Sequence, residues 1–132
     1  MAGYSAEAYR ALEVIFNELR VIETDFPASY ASVLLHVARA EASGAGHPSV
    51  SEIGDTLGLS RPTSSRIVLS MSNRRLGRSK PGEERPDGAR KSLGLFERLP
   101  DPVDLRVTRV RLTPKGKGLV TRLTAALGAG IR

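Results

Sequence analysis

Two clusters of polar side chains in this chain have the types and spacing needed to recognise a polyanion. The first, SRPTSSR from Ser60 to Arg66, brings Arg61, Thr63, Ser64, Ser65 and Arg66 together at the start of a helical segment. Arginine pairs in bidentate fashion with phosphate or guanine, hydroxyls bond phosphates or base edges, and short side chains permit close approach to a groove. The same residues also make an ordinary solvated helix face, so this cluster needs the second beside it. That second cluster, DLRVTRVRLTPKG from Asp104 to Gly116, joins a turn bearing Arg106, a strand bearing Arg109 and Arg111, and a helix cap. It reads as a wing that touches DNA.

Charge supports the same chemistry. The chain of 132 residues carries a net +6, divided unevenly. Met1 to Leu59 holds 3 basic and 8 acidic side chains, and Ser60 to Arg132 holds 17 basic and 6 acidic. A segregated positive half is the footprint of a polyanion, because each Lys or Arg set against a phosphate releases condensed counterions. Proline and glycine interrupt the basic residues, which speaks against an amphipathic membrane-binding helix.

Composition removes other classes. With no cysteine, disulfides, thiolate nucleophiles and cysteine metal ligands are excluded. His36 and His47 are too isolated to read as a ligand pair, so no metal and no cofactor are expected. Nothing resembles a catalytic constellation or a phosphate-binding glycine loop, so an enzyme is not expected. The start, MAGYSAEAYR, lacks a signal-peptide apolar core, and no apolar run approaches a membrane span. The protein is therefore expected in the cytoplasm, and with the nucleoid if it binds DNA.

The elements that must position both clusters follow from periodicity. Leu12, Ile15, Phe16, Leu19 and Ile22 recur at three and four residues, predicting an amphipathic helix over 6–24. Pro27 opens a second helix through Ala40, ended by the Ser43 to Pro48 run. Ser51 is expected to cap a short helix with Ile53 and Leu57, Gly58 to make a tight turn, and Ser60 to cap a helix to about Asn73 that buries Ile67, Val68 and Met71. Leu95 to Arg98 and Val107 to Leu112 alternate as a hairpin with Pro100, Asp101, Pro102 and Asp104 at its tip, Val110 and Leu112 inward, and Arg109 and Arg111 outward. Thr113 then caps a helix ending among Gly128 and Gly130.

One domain is expected at this length. It divides into N-terminal helices over 1–43, a helix-turn-helix over 50–73, a basic loop over 74–91, a wing hairpin over 93–112 and a C-terminal helix over 113–128. The fold class is mainly α with a small β-hairpin. From Asn73 to Lys91 the sequence holds 7 basic and 3 acidic residues with Pro81 and Pro86. Arg74, Arg75, Arg78 and Lys80 are candidates for phosphate contacts from this arm, against the alternative of a solvated insertion.

The order of elements, with LGLSRPTSSRI and LGLFERLPDPVDLRVTRVRLTPKGKGL, resembles the MarR family of bacterial multiple-antibiotic-resistance regulators. The likeness rests on Asp104, Arg106, Val110, Leu112, Thr113 and Gly116. It implies that Arg106 enters the minor groove, that Asp104 helps hold it, and that Arg61, Thr63, Ser64, Ser65 and Arg66 meet the major groove. The chain departs from the family's pattern in the insertion over 73–91, in Leu105 where a second arginine is common, and in a short C-terminal region.

These readings converge on a sequence-specific regulator of transcription, a repressor or an activator, that acts by operator occupancy and is expected to bind double-stranded DNA as a homodimer through Leu12, Phe16 and Leu19 of the first helix. A small-molecule effector is compatible with the resemblance but has no motif of its own. The alternatives are a replication-initiator or partition-type DNA-binding protein of a mobile element, and a winged-helix adaptor that docks on another protein.

Overall fold

A computed structural model describes residues 5–73 and 92–131. Among these residues five helices and one hairpin follow in order: α1 (Ala6–Ile22), α2 (Ala28–Ala42), α3 (Val50–Leu57), α4 (Arg61–Met71), β1 (Phe96–Pro100), β2 (Thr108–Leu112) and α5 (Pro114–Ile131). This is the expected mainly helical winged helix-turn-helix. The basic segment 74–91, with Arg74, Arg75, Arg78 and Lys80, lies outside the described residues.

Several boundaries move for identifiable reasons. Pro27 caps α2 instead of opening it, and the helix continues to Ala42. Ser49, not Ser51, caps α3. The Ser49 hydroxyl accepts the Glu52 N–H at 3.0 Å, while a Glu52 carboxylate oxygen accepts the Ser49 N–H at 2.9 Å. This reciprocal capping box satisfies two helix-terminal donors at once. Ser51 falls inside the helix, where its hydroxyl has no terminal N–H to accept. Helix α5 runs through Gly128 and Gly130 to Ile131, so those glycines do not end it.

Gly58 closes α3 at φ 73°, a left-handed conformation that glycine adopts without the Cβ penalty. Ser60 then caps α4 by accepting the Thr63 N–H at 3.2 Å. The core gathers one side of each element: Val33, Leu34 and Val37 of α2, Ile53 of α3, Ile67, Val68 and Met71 of α4, Leu95, Phe96, Val110 and Leu112 of the hairpin region, and Leu119 and Leu123 of α5. Leu19 of α1 joins them at 4% exposure, and α1 packs along α5.

The hairpin is antiparallel, with Phe96 opposite Leu112 and Pro100 opposite Thr108. Pro100 belongs to β1 and not to the tip. Further pairing stitches the hairpin to the helix-turn-helix. Ser49 bridges Arg109, Ser72 bridges Phe96, and the Val110 N–H donates to the Pro48 carbonyl at 2.9 Å. The chain re-enters beside the place it left, since the Asn73 N–H donates to Phe96 at 2.9 Å and the Leu93 N–H to Ser70 at 3.0 Å.

The start of α5 explains the Leu-Thr-x-x-Gly run. Leu112 is core, and the Thr113 hydroxyl accepts the Gly116 N–H at 3.0 Å while donating to the Gly94 carbonyl at 2.7 Å. A Cβ on Gly116 would lie 2.3 Å from the Leu95 carbonyl oxygen. Only glycine lets the helix approach Leu95, just ahead of β1, this closely.

Candidate nucleic-acid interface

Helix α4 sorts its polar residues by face. Arg61, Ser65 and Arg66 are exposed, and among the described residues neither arginine has a carboxylate partner. Thr63 is half-buried, its hydroxyl accepting a hydrogen bond from Ser60 at 2.9 Å. Ser64 does not belong with the predicted DNA-facing residues: it is fully buried and donates to the Val50 carbonyl at 2.9 Å. It packs where α3 presents Gly54, so it holds α3 against α4 and has no surface for a ligand. Period and polarity do not separate a small serine at a helix crossing from one in solvent.

The wing tip is built on two aspartates. The Asp101 carboxylate accepts the Val103 and Asp104 N–H groups at 2.7 and 3.0 Å and the Arg109 Nε at 2.7 Å. Hydrogen bonds from the Asp104 backbone, then from Arg109 and Val103, hold its pKa below the ordinary carboxylate range. Asp104 takes Arg106 in a two-point grip, Nε at 3.1 Å and Nη2 at 3.2 Å, and also accepts the Arg106 N–H at 3.0 Å. The Arg106 guanidinium, then its backbone N–H, lowers the Asp104 pKa. The Arg106 side chain is 89% exposed, so the pair projects into solvent already oriented.

Arg109 is not an outward-facing contact. Besides Asp101 it donates to the His47 carbonyl at 3.1 Å and to Glu52 at 3.3 Å. The Glu52 oxygen that closes the α3 capping box is therefore also an anchor for β2. Arg109 braces the wing against the start of the helix-turn-helix, with its charge balanced by two carboxylates. Glu41 of α2 adds a second brace, its carboxylate accepting the Leu112 N–H at 2.8 Å. Sequence reasoning missed both acidic partners. The Ser49 to Glu52 spacing signals the capping box, but nothing local signals Glu41, 71 residues from its donor.

Arg111 is exposed and pairs with Glu97 directly across the hairpin at 2.9 Å. On α1, Leu12 and Phe16 are exposed, beside Tyr9. Leu19 is buried in the same protomer's core and is removed from the predicted dimer face. A groove of about 540 Å³ opens between α2 and α5, lined by Leu35, His36, Arg39, Leu57 and Val120 among others. Partial burial, and then Arg39, lower the His36 pKa. Among the described residues no cluster of acidic and histidine side chains is arranged for a metal, and no helix is long and apolar enough to cross a membrane.

No family model matches the chain, and no curated protein matches it. Solved structures do. The transcriptional repressor CouR, bound to a 23-mer DNA duplex, is 23% identical with a TM-score of 0.54, the match covering 91% of this chain and 66% of CouR. A MarR-like transcriptional regulator from Thermotoga maritima is 20% identical with a TM-score of 0.55, over 98% and 79%. The fold is a MarR-type winged helix. A mutant MepR of S. aureus bound to an oligodeoxyribonucleotide has the same fold at 20% identity and a TM-score of 0.57, over 91% and 70%. The chain thus spans about two thirds of the length of CouR. Within this MarR-type frame, α4 is the second helix of the helix-turn-helix and the Asp104–Arg106 pair lies in the wing.

Proposed function

We propose that this protein is a sequence-specific double-stranded DNA-binding regulator of transcription that acts as a homodimer by occupying its operator in the cytoplasm. One observation carries the reading: a capped α4 exposes Arg61, Ser65 and Arg66, and the adjoining wing offers Arg106 held by Asp104. Held side chains lose less freedom on binding than mobile ones. In this reading α4 meets base edges in the major groove and Arg106 probes minor-groove width. The exposed Leu12 and Phe16 of α1 form part of the dimer face, matching a two-fold symmetric protein to a palindromic site. Arg74, Arg75, Arg78 and Lys80 add phosphate contacts. DNA occupancy needs no bond-making chemistry, so the reading assigns no catalytic role.

Binding-site selection from a random duplex pool tests it. The expected result is an enriched palindrome whose affinity falls steeply with salt. A pool that enriches nothing, with no salt-dependent DNA affinity, would refute the regulator reading and leave a protein-docking adaptor.

A further inference from the structure

The wing tip carries two apolar side chains that neither the core nor the tip's own ion pairs engage. Val103 is 92% exposed and Leu105 is 76% exposed. Neither position is a floppy loop that could fold its side chain away. The Val103 and Asp104 N–H groups are tied to the Asp101 carboxylate, the Arg106 N–H is tied to the Asp104 carboxylate, and the Val107 N–H donates to the Asp104 carbonyl at 2.9 Å. The backbone on both sides of Leu105 is therefore fixed. Asp101 is in turn anchored to the body through Arg109.

Charge at the tip is balanced. Asp101 is paired with Arg109 and Asp104 with Arg106, so the apex has no surplus positive charge with which to track phosphates. What it offers is a gripped guanidinium beside an exposed leucine. Two apolar side chains are far too little for a stable protein interface, which buries about 800 Å² per partner. They are enough for the apolar insertion that minor-groove proteins use, in which Leu or a similar residue enters between neighbouring base pairs and partly unstacks them.

We propose that Leu105, with Val103 beside it, is an apolar wedge that enters the minor groove next to Arg106 and favours a flexible pyrimidine–purine step. The inference rests on the DNA-binding reading above. Selectivity would arise without a hydrogen bond to any base, because such steps open at lower energetic cost than stiff A-tracts. Arg106 would sense groove width and Leu105 deformability, two properties of the same stretch of DNA.

The test uses the full chain and the duplex it selects. A pyrimidine–purine step in the wing-facing flank is replaced by an A-tract step, and affinities are measured for wild type and Leu105→Ala. The step itself is monitored with a fluorescent purine analogue that brightens on unstacking. Wild type should lose about tenfold in affinity on the replacement, toward the lower end for one altered base pair, and should brighten the probe. Leu105→Ala should melt like wild type, bind both duplexes nearly equally and leave the probe dark, while keeping the sequence preference at the positions read by α4. Equal step discrimination and equal brightening in the two proteins overturn the wedge and leave the regulator reading standing. A change of self-association in Leu105→Ala with DNA binding intact assigns the tip to protein contact and also overturns it. Absence of specific DNA binding by wild type sinks both readings together.

Discussion

Replacing Ser64 by alanine separates architecture from recognition in the helix-turn-helix. The Ser64 hydroxyl is fully buried and donates to the carbonyl of Val50, the first residue of α3, at 2.9 Å. Alanine keeps the Cβ that meets α3 at Gly54, so packing is preserved and one hydrogen bond disappears. The Val50 carbonyl also has its helical partner four residues on, so it is not left bare. The cost is therefore the net worth of one buried hydrogen bond, about 1 kcal/mol. For a domain of this size that lowers Tm by roughly 3–6 °C. Ser65→Ala, one residue on but exposed, should leave Tm within about 1 °C, since surface changes usually fall within half a kcal/mol. Thermal melts followed by circular dichroism give the first comparison, and titrations on the selected duplex give the second. Ser64→Ala at a temperature well below its melt should retain the wild-type sequence preference. A variant that melts like wild type but loses specific affinity would refute the assignment of Ser64 to the α3–α4 joint and place it among the groove-facing residues.

Arg106→Ala should weaken specific binding by about 1–3 kcal/mol, the range for one specific contact, with an unchanged melt; equal affinity in a titration would remove this arginine from the mechanism. Phe16→Glu should dissociate the proposed dimer by placing a charge in an apolar face, and sedimentation at tens of micromolar reads it; a wild type that is monomeric there counts against the α1 interface. Asp101 and Asp104 have lowered pKa values, so their contribution to tip order is present above the ordinary carboxylate pKa and fades as pH falls through the lowered values, below about pH 4. Amide chemical shifts of Val103 and Arg106 should move together in that window, and Asp101→Asn should abolish the Val103 transition. Replacing 74–91 by a short turn should make the slope of log affinity against log salt shallower by about 0.9 for each phosphate that the segment neutralises, with the preferred sequence retained; an unchanged slope would make the segment a spacer.

How legible the site was depended on the range of the interaction that fixes each residue. The exposure of Arg61 and Arg66 was readable because a helical period and a Ser-x-x-Thr cap decide which side of α4 they occupy. That Asp104 holds Arg106 was readable through a resemblance whose other positions the structure explains: Val110 and Leu112 are core, Thr113 caps α5, and Gly116 admits the Leu95 carbonyl. Ser64 and Arg109 were misplaced for a shared reason. A short hydroxyl and an alternating arginine look solvated until another element arrives, and α3 covers the one while Asp101 and Glu52 engage the other.

Leu19 shows the same limit on α1. Its spacing put it on one stripe with Leu12 and Phe16, but the core takes Leu19 at 4% exposure and leaves Phe16 at 57%. Local order, charge segregation and the succession of helices and hairpin are properties of neighbouring residues, and the sequence by itself determined them. Which of several equivalent polar or apolar side chains is buried was decided by pairings such as Ser64 to Val50, Arg109 to Glu52 and Leu112 to Glu41, separated by 14, 57 and 71 residues. Only the tertiary structure could decide those, because burial and pairing at such separations depend on how whole elements pack and not on what adjoins them in the chain.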